Sequence, residues 1–133
     1  MLTVPVEIRK SAIHGYGVFA RDHIPKGKVV WMFAPGLDIV RSVFALEQAD
    51  PRTRDFIMER GFINPKKPDE AVICADESQF CNFPLPGEKA NTELGNLIDG
   101  QYLLLAAQDI VAGTEITVPP DSDADYARKM ESR

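Results

Sequence analysis

Short apolar runs separated by tight turns make up the first third of the chain. Apolar and polar residues alternate over residues 4–9, which is the period of a half-buried strand. Residues 18–20 predict a short buried strand directly after the glycines at positions 15 and 17. The continuous apolar run over residues 29–33 predicts a strand that is buried on both faces. This part of the chain is therefore predicted to be a set of short strands.

Helical signals are concentrated in one central segment. Asp50 is suited to cap the free amides of a helix, and Pro51 is suited to its first position. Gly61 is suited to a left-handed residue after the last turn. A shorter helical segment is expected over residues 42–49, and a short strand over residues 71–75. We therefore expect one or two short helices in the middle of the chain.

The last third again predicts strands. Asp99-Gly100 lies between two apolar runs and is a pair favoured in type I′ hairpin turns. A final strand is expected over residues 115–118, where two prolines end it, and a C-terminal helix is expected over roughly residues 122–133. Strands and helices do not alternate as they do in a parallel nucleotide-binding sheet. The predicted fold class is mostly β.

The composition of the 133 residues argues against several partners and sites but does not change the predicted fold. The net charge of −5 argues against nucleic acid as a direct partner, because binders of the phosphate backbone usually carry a basic stripe. No apolar run approaches the ~20 residues of a membrane span, and no signal-peptide pattern is present, so we expect a cytoplasmic protein that does not bind membranes. Cys74 and Cys81 with only two histidines do not make a zinc site, and no metal is expected.

Three segments, taken in order, resemble the motifs of one family, the SET domain. They are Gly15-Tyr16-Gly17-Val18-Phe19-Ala20, residues 76–92, and residues 106–110 followed by Gly113-Thr114-Glu115-Ile116-Thr117. The length is similar to that of the minimal bacterial and viral members. The resemblance implies a β-clip fold of small sheets, with a C-terminal segment threaded under a loop as a pseudoknot. It also implies one domain over residues 1–133, with an insert at roughly residues 38–70.

The resemblance further implies an S-adenosylmethionine-dependent protein-lysine methyltransferase. Tyr16, between Gly15 and Gly17, would offer backbone groups to the methionine end of the cofactor. Asn82 would hold the cofactor through its side chain, and the neighbouring Phe83 through its backbone and ring. The substrate would be a lysine of a protein or peptide. Small members of the family can dimerise, so a homodimer remains open.

Two further positions follow from the same resemblance. Asn91 and Thr92 match the later asparagine motif, which helps to tie the threaded segment. Phe83 itself stands where the family has a histidine, so the middle motif is not a complete match.

The chain departs most from the family pattern at its C-terminal end. Pro120 occupies the position of the catalytic tyrosine, and a proline side chain cannot donate a hydrogen bond. The nearest tyrosine is Tyr126, which either replaces the missing hydroxyl or simply packs on the expected helix. Two hypotheses follow: an active methyltransferase, or a degenerate domain that binds cofactor, peptide or a protein partner without turnover. An unrelated β-rich module is a third possibility.

Overall fold

A computed structural model describes residues 1–96, 98–120, 127 and 129–131 of the chain. These residues belong to two compact units. The first contains residues 1–33 and 76–119, and the second contains residues 34–75 and 120–133. Short strands in small antiparallel sheets dominate, and residues 1–96 include two short α-helices. The predicted mostly β fold class is confirmed, whereas the single-domain boundaries and the limits of the insert stay predictions.

The first unit contains two antiparallel sheets. β1 (Val6–Lys10) pairs with β2 (Tyr16–Ala20). In the second sheet, β8 (Leu103–Ala106) lies between β3 (Val29–Met32) and β7 (Thr92–Leu94). A core of buried apolar side chains stabilises the unit through the area that it removes from water. Its members are Val4, Val18, Ala20, Ile24, Val30, Ala106, Ile110 and Ile116.

The second unit contains a three-stranded sheet and both α-helices. β6 (Lys67–Ile73) is the central strand, between β4 (Ile39–Ser42) and β5 (Phe62–Asn64). The helices are α1 (Val43–Glu47) and α2 (Pro51–Arg60), and they separate β4 from β5 along the chain.

Helix α2 begins as its sequence predicts but ends differently. The Asp50 side chain accepts a hydrogen bond from the Thr53 N–H at 3.1 Å, and Pro51 is the first helical residue. Gly61 is not left-handed, because its φ of −98° and ψ of −172° are extended. A glycine is required there for another reason, since a Cβ would lie 2.5 Å from the Val72 carbonyl oxygen. Close backbone contact therefore selects the glycine.

The predicted type I′ hairpin turn is confirmed. Asp99 and Gly100 have φ values of 50° and 77°, and this turn type requires positive φ at both central residues. The flanking Ile98 and Gln101 exchange two backbone hydrogen bonds of 2.8 and 3.0 Å. The local sequence is therefore sufficient to set this turn.

The strand predicted over residues 29–33 is buried only in its middle. Val30 and Trp31 are both buried, while Met32 is 41% exposed. Neighbouring strand residues normally face opposite sides, but the pairing of β3 with β8 shifts register between Val29 and Trp31. The prediction that the whole run is buried on both faces was wrong.

Two further strands are present but differ in detail from the expectation. In the half-buried strand expected over residues 4–9, Val4 is buried and Val6 packs against the core, but Ile8 is 37% exposed. β6 begins at Lys67, four residues before the predicted strand over residues 71–75, because it pairs with β5, which the sequence pattern did not predict.

The C-terminal helix predicted over residues 122–133 falls mostly outside the described residues. Residues 127 and 129–131 are helical. Lys129 is buried, and its Nζ donates a hydrogen bond to the Gly61 carbonyl oxygen at 2.9 Å. In the described part of the chain, none of the helices has the length and apolar character needed to cross a membrane.

The Gly61→Ala substitution should destabilise the protein. The added Cβ would meet the carbonyl oxygens of Val72 at 2.5 Å and Ile57 at 3.1 Å, which are backbone atoms that cannot rotate away. We expect the free energy of unfolding in urea to fall by about 1–3 kcal/mol. Arg52→Ala, at an exposed position of α2, is the control and should change it by less than about 0.5 kcal/mol. Equal losses for the two variants would contradict the close contact at Gly61.

Candidate functional site

The turn that connects β1 to β2 is closed by its own hydrogen bonds. We call residues 11–17 the glycine turn. The Ser11 N–H donates to the Gly15 carbonyl oxygen at 2.8 Å, and the Ser11 Oγ accepts from the Ile13 N–H at 2.9 Å. Gly15 has a φ of +50°, a conformation that side chains disfavour. The glycine at position 15 is therefore needed for the shape of the turn.

The Asn82 side chain binds the glycine turn from inside the protein. Its Nδ2 donates to the carbonyl oxygens of His14 and Tyr16, both at 3.1 Å. The same nitrogen lies 2.8 Å from Glu115 Oε1 and 3.3 Å from Ser11 Oγ. Carbonyl and carboxylate oxygens only accept, so these neighbours require the nitrogen, not the oxygen, of the amide to face them. Asn82 is 3% exposed and fixes the turn in place.

Glu115 is the second side chain that binds the turn. Its Oε1 and Oε2 lie 2.9 and 2.8 Å from Ser11 Oγ, which donates to the carboxylate. A Cβ on Gly17 would lie 2.1 Å from Glu115 Oε1. The glycine at position 17 therefore leaves room for this carboxylate.

Residues 114–118, which we call the closing segment, lie along β2 and then along Asn82. The Ile116 N–H donates to the Val18 carbonyl oxygen at 2.7 Å, and the Val118 N–H donates to the Asn82 carbonyl oxygen at 3.0 Å. The segment forms isolated bridges with these two partners, so the regular strand predicted over residues 115–118 was wrong. The reason is that the segment changes partner after Ile116, before a ladder can extend.

Asn91 and Thr92 hold the closing segment through side-chain hydrogen bonds. Asn91 Nδ2 donates to the Glu115 carbonyl oxygen at 2.8 Å, and Asn91 Oδ1 accepts from the Thr117 N–H at 2.8 Å. Thr92 Oγ1 donates to the Thr117 carbonyl oxygen at 2.7 Å. Both residues thus bind the closing segment, as the family resemblance implied. The threading of that segment under a loop stays a prediction.

The structure brings four of the predicted cofactor residues together. They are Gly15, Tyr16, Gly17 and Asn82. The Phe83 side chain is 5% exposed, so its ring is enclosed by protein. Tyr126, the proposed substitute for the catalytic tyrosine, lies outside the described residues. The cofactor roles of all these residues stay predictions.

Sequence reasoning missed two residues of this site. Glu115 belongs to the closing motif on which the resemblance rests, but no role was assigned to it. Ser11 carries only a general signal, since serine often accepts from backbone amides two or three residues later.

Asp76 has a structural role at the start of the middle motif. It caps a 3₁₀ helix over Glu77–Phe80, where its Oδ1 accepts from the Ser78 N–H at 3.1 Å. Its Oδ2 accepts from the Leu2 N–H at 2.7 Å. Burial raises the pKa of Asp76, but the hydrogen bonds from Ser78 and Leu2 outweigh it and hold that pKa below its ordinary value.

Cys74 and Cys81 are both half-buried. Among the residues that the structure describes, no group of three or more His, Cys, Asp or Glu side chains is placed to hold a metal ion.

A comparison with models of protein families shows which family the chain belongs to. The model of the SET domain family matches residues 15–119, which include the glycine turn, Asn82 and the closing segment. The chain belongs to the SET domain family. No curated protein sequence matches this SET domain significantly.

Solved structures are similar to this SET domain at low sequence identity. The crystal structure of a candidate histone methyltransferase from Plasmodium falciparum has a TM-score of 0.57 and 15% identity, and the match covers 87% of this chain and 92% of that one. A humanized mutant of Polycomb Repressive Complex 2 from Chaetomium thermophilum, bound to the inhibitor GSK126, has a TM-score of 0.61 and 20% identity. That match covers 86% of this chain and 14% of that one. At these identities the similarity shows the fold alone.

The Gly17→Ala substitution should act by displacing the Glu115 carboxylate, because the added Cβ would take the place of Oε1. We expect a loss of about 1–3 kcal/mol in the free energy of unfolding, the usual cost of hydrogen bonds to a charged group. Glu115→Ala removes the same contacts. The double variant should therefore be little less stable than either single variant in urea titrations.

Gly15→Ala is the matched control for this experiment. No atom lies within 4 Å of a Cβ added at Gly15, so its cost of about 1–2 kcal/mol comes from the backbone conformation alone. That cost should add to the cost of Glu115→Ala within about 0.5 kcal/mol. Additive costs for Gly17→Ala and Glu115→Ala would contradict the contact between Gly17 and the carboxylate.

The lowered pKa of Asp76 predicts a specific acid sensitivity. Because the folded protein binds this proton more weakly than the unfolded chain does, the carboxylate stabilises the fold above about pH 4. That stabilisation is lost as the pH falls through the folded-state pKa. Asp76→Asn should therefore lower the free energy of unfolding at pH 7, and its difference from the unchanged protein should shrink towards pH 3. A difference that is constant over this range would exclude a role for the Asp76 charge.

Proposed function

We propose that this SET domain binds S-adenosylmethionine and transfers its methyl group to a lysine amine of a protein or peptide. The observation that carries the proposal is the glycine turn, which Asn82 and Glu115 hold in one conformation. The fold similarity to a candidate histone methyltransferase supports a protein or peptide substrate. The cytoplasmic localisation and the homodimer stay predictions.

The groups left on the turn suit the amino-acid end of this cofactor. The carbonyl oxygens of His14, Gly15 and Tyr16 all accept hydrogen bonds within the protein. The Gly15 N–H finds no acceptor among the described residues, and no atom lies within 4 Å of a Cβ added at this exposed glycine. Backbone N–H groups in such turns bind carboxylates, and the cofactor carries one. The turn therefore offers a donor where the cofactor needs one.

Asn82 contributes mainly by shaping the turn. Its nitrogen is committed to the carbonyl oxygens and the carboxylate around it, which leaves its oxygen for a cofactor. Tyr16 through its backbone and Phe83 next to Asn82 complete the proposed set of cofactor residues.

When bound, S-adenosylmethionine supplies a methyl group that is already electrophilic. The contribution of the protein is to align the lysine amine with that methyl group and to favour loss of the proton from the amine. Alignment alone supplies a large part of such a rate, and a channel with few charges lowers the pKa of a lysine.

A second candidate function is the binding of cofactor, peptide or a protein partner without methyl transfer. Pro120 favours it, because this residue stands where the family has its catalytic tyrosine and offers no hydroxyl. The glycine turn is complete in this case as well, so cofactor binding alone does not separate the two candidates.

Calorimetry with S-adenosylmethionine tests the binding that both cofactor-dependent candidates need. Asn82→Asp has nearly the same shape but places a carboxylate oxygen among four oxygen neighbours. We expect it to weaken binding by about tenfold or more, the cost of unsatisfied buried groups. Asn96→Asp, at an exposed position of the same unit, is the control with the same change in charge. Absence of binding by the unchanged chain would refute the proposal.

Transfer of labelled methyl groups to basic peptides separates the two candidates. Label transferred by the unchanged chain above the Asn82→Asp background supports the methyltransferase. Binding without transfer supports the second candidate, and Pro120→Tyr then tests whether the missing hydroxyl is the cause, because it supplies one at that position.

A further inference from the structure

We infer that Glu115, acting through Ser11 and Asn82, is a positioning residue that sets the conformation of the glycine turn before the cofactor binds. This inference rests on the proposed function, because it concerns the same turn. It assigns a role to two residues, Ser11 and Glu115, to which the family motifs gave none.

The Ser11 hydroxyl uses its full hydrogen-bonding capacity inside the turn. It accepts from the N–H groups of Ile13 at 2.9 Å and His14 at 3.3 Å, with Asn82 Nδ2 as a further donor at 3.3 Å, and it donates its one proton to the Glu115 carboxylate. A hydroxyl has one proton and two lone pairs, so these contacts leave it no freedom to rotate. The orientation of two backbone amides of the turn therefore depends on the position of Glu115.

Glu115 is itself held by the body of the unit. Its carbonyl oxygen accepts from Asn91 Nδ2 at 2.8 Å, and the next residue, Ile116, is fully buried and bonded to Val18. The turn, in contrast, is exposed at His14, Gly15 and Tyr16. The carboxylate is thus a fixed anchor, and the exposed turn is the element that it orders.

The expected consequence is preorganisation. Gly15 and Gly17 give the turn more backbone freedom than other residues would, and a ligand that had to order it would bind more weakly. The apparent affinity falls with the fraction of molecules in the competent conformation. Loss of the anchor should therefore weaken cofactor binding although Glu115 makes no contact with the cofactor.

The test uses four single variants and one double variant of the 133-residue chain. Ser11→Ala and Glu115→Ala, singly and together, remove the anchor, and Glu115→Gln keeps an acceptor oxygen for Ser11 and Asn82. Thr92→Val is the matched control, because it removes a side-chain hydrogen bond to the closing segment away from the turn. Hydrogen exchange of the Ile13 and His14 amides is measured without cofactor, and calorimetry gives the affinity for S-adenosylmethionine.

We expect Ser11→Ala and Glu115→Ala each to speed exchange at the Ile13 and His14 amides by about tenfold and to weaken binding about as much. The double variant should lose less affinity than the sum of the two single losses, because either change alone already breaks the bond between Ser11 and Glu115. Glu115→Gln should keep most of the affinity. Thr92→Val should leave the exchange of these two amides, relative to the rest of the protein, unchanged.

Two results would overturn the inference. One is unchanged exchange at Ile13 and His14 in Glu115→Ala, and the other is faster exchange with unchanged affinity. Failure of the unchanged chain to bind the cofactor would instead refute the proposed function. In that case the exchange rates alone decide whether Glu115 orders the turn.

Discussion

The buried amide of Asn82 is the contact on which the first unit depends. A buried N–H group without an acceptor is costly, and Asn82 finds its acceptors in the carbonyl oxygens of His14 and Tyr16 and in the Glu115 carboxylate. These groups come from segments that are far apart along the chain. The amide therefore links the middle motif to both the glycine turn and the closing segment. The contact that joins these segments is therefore also a contact of the candidate site.

In the closing segment, side-chain hydrogen bonds take the place of a regular strand ladder. Asn91 and Thr92 supply hydrogen bonds that a neighbouring strand would otherwise supply, while Ile116 packs in the core below. The bond from Asn91 holds the backbone of Glu115 beside the turn, whereas Thr92 binds the segment further along, at Thr117. The closing segment is followed by Pro119 and Pro120, neither of which carries a hydroxyl. The proposal that the domain binds without turnover rests on this feature.

Local signals in the sequence determined several elements correctly. Asp99 and Gly100 form the expected turn, Asp50 caps helix α2, and the strand after the glycine turn is buried. Each of these depends on the backbone preferences of a few consecutive residues, so neighbours in the chain carry the whole signal. The ordered motifs likewise placed Tyr16 and Asn82 in one candidate site, because motif order reflects a shared fold.

Contacts between distant residues were decided only by the tertiary structure. Gly61 was expected to be left-handed, but it is extended and is selected by the nearby Val72 carbonyl oxygen. Gly17 is needed because the Glu115 carboxylate, almost a hundred residues later, lies where a Cβ would be. The sequence by itself determined that glycines stand at these positions. Only the tertiary structure shows why glycine is needed there. The atoms that exclude a side chain come from distant parts of the chain, which local sequence patterns do not connect.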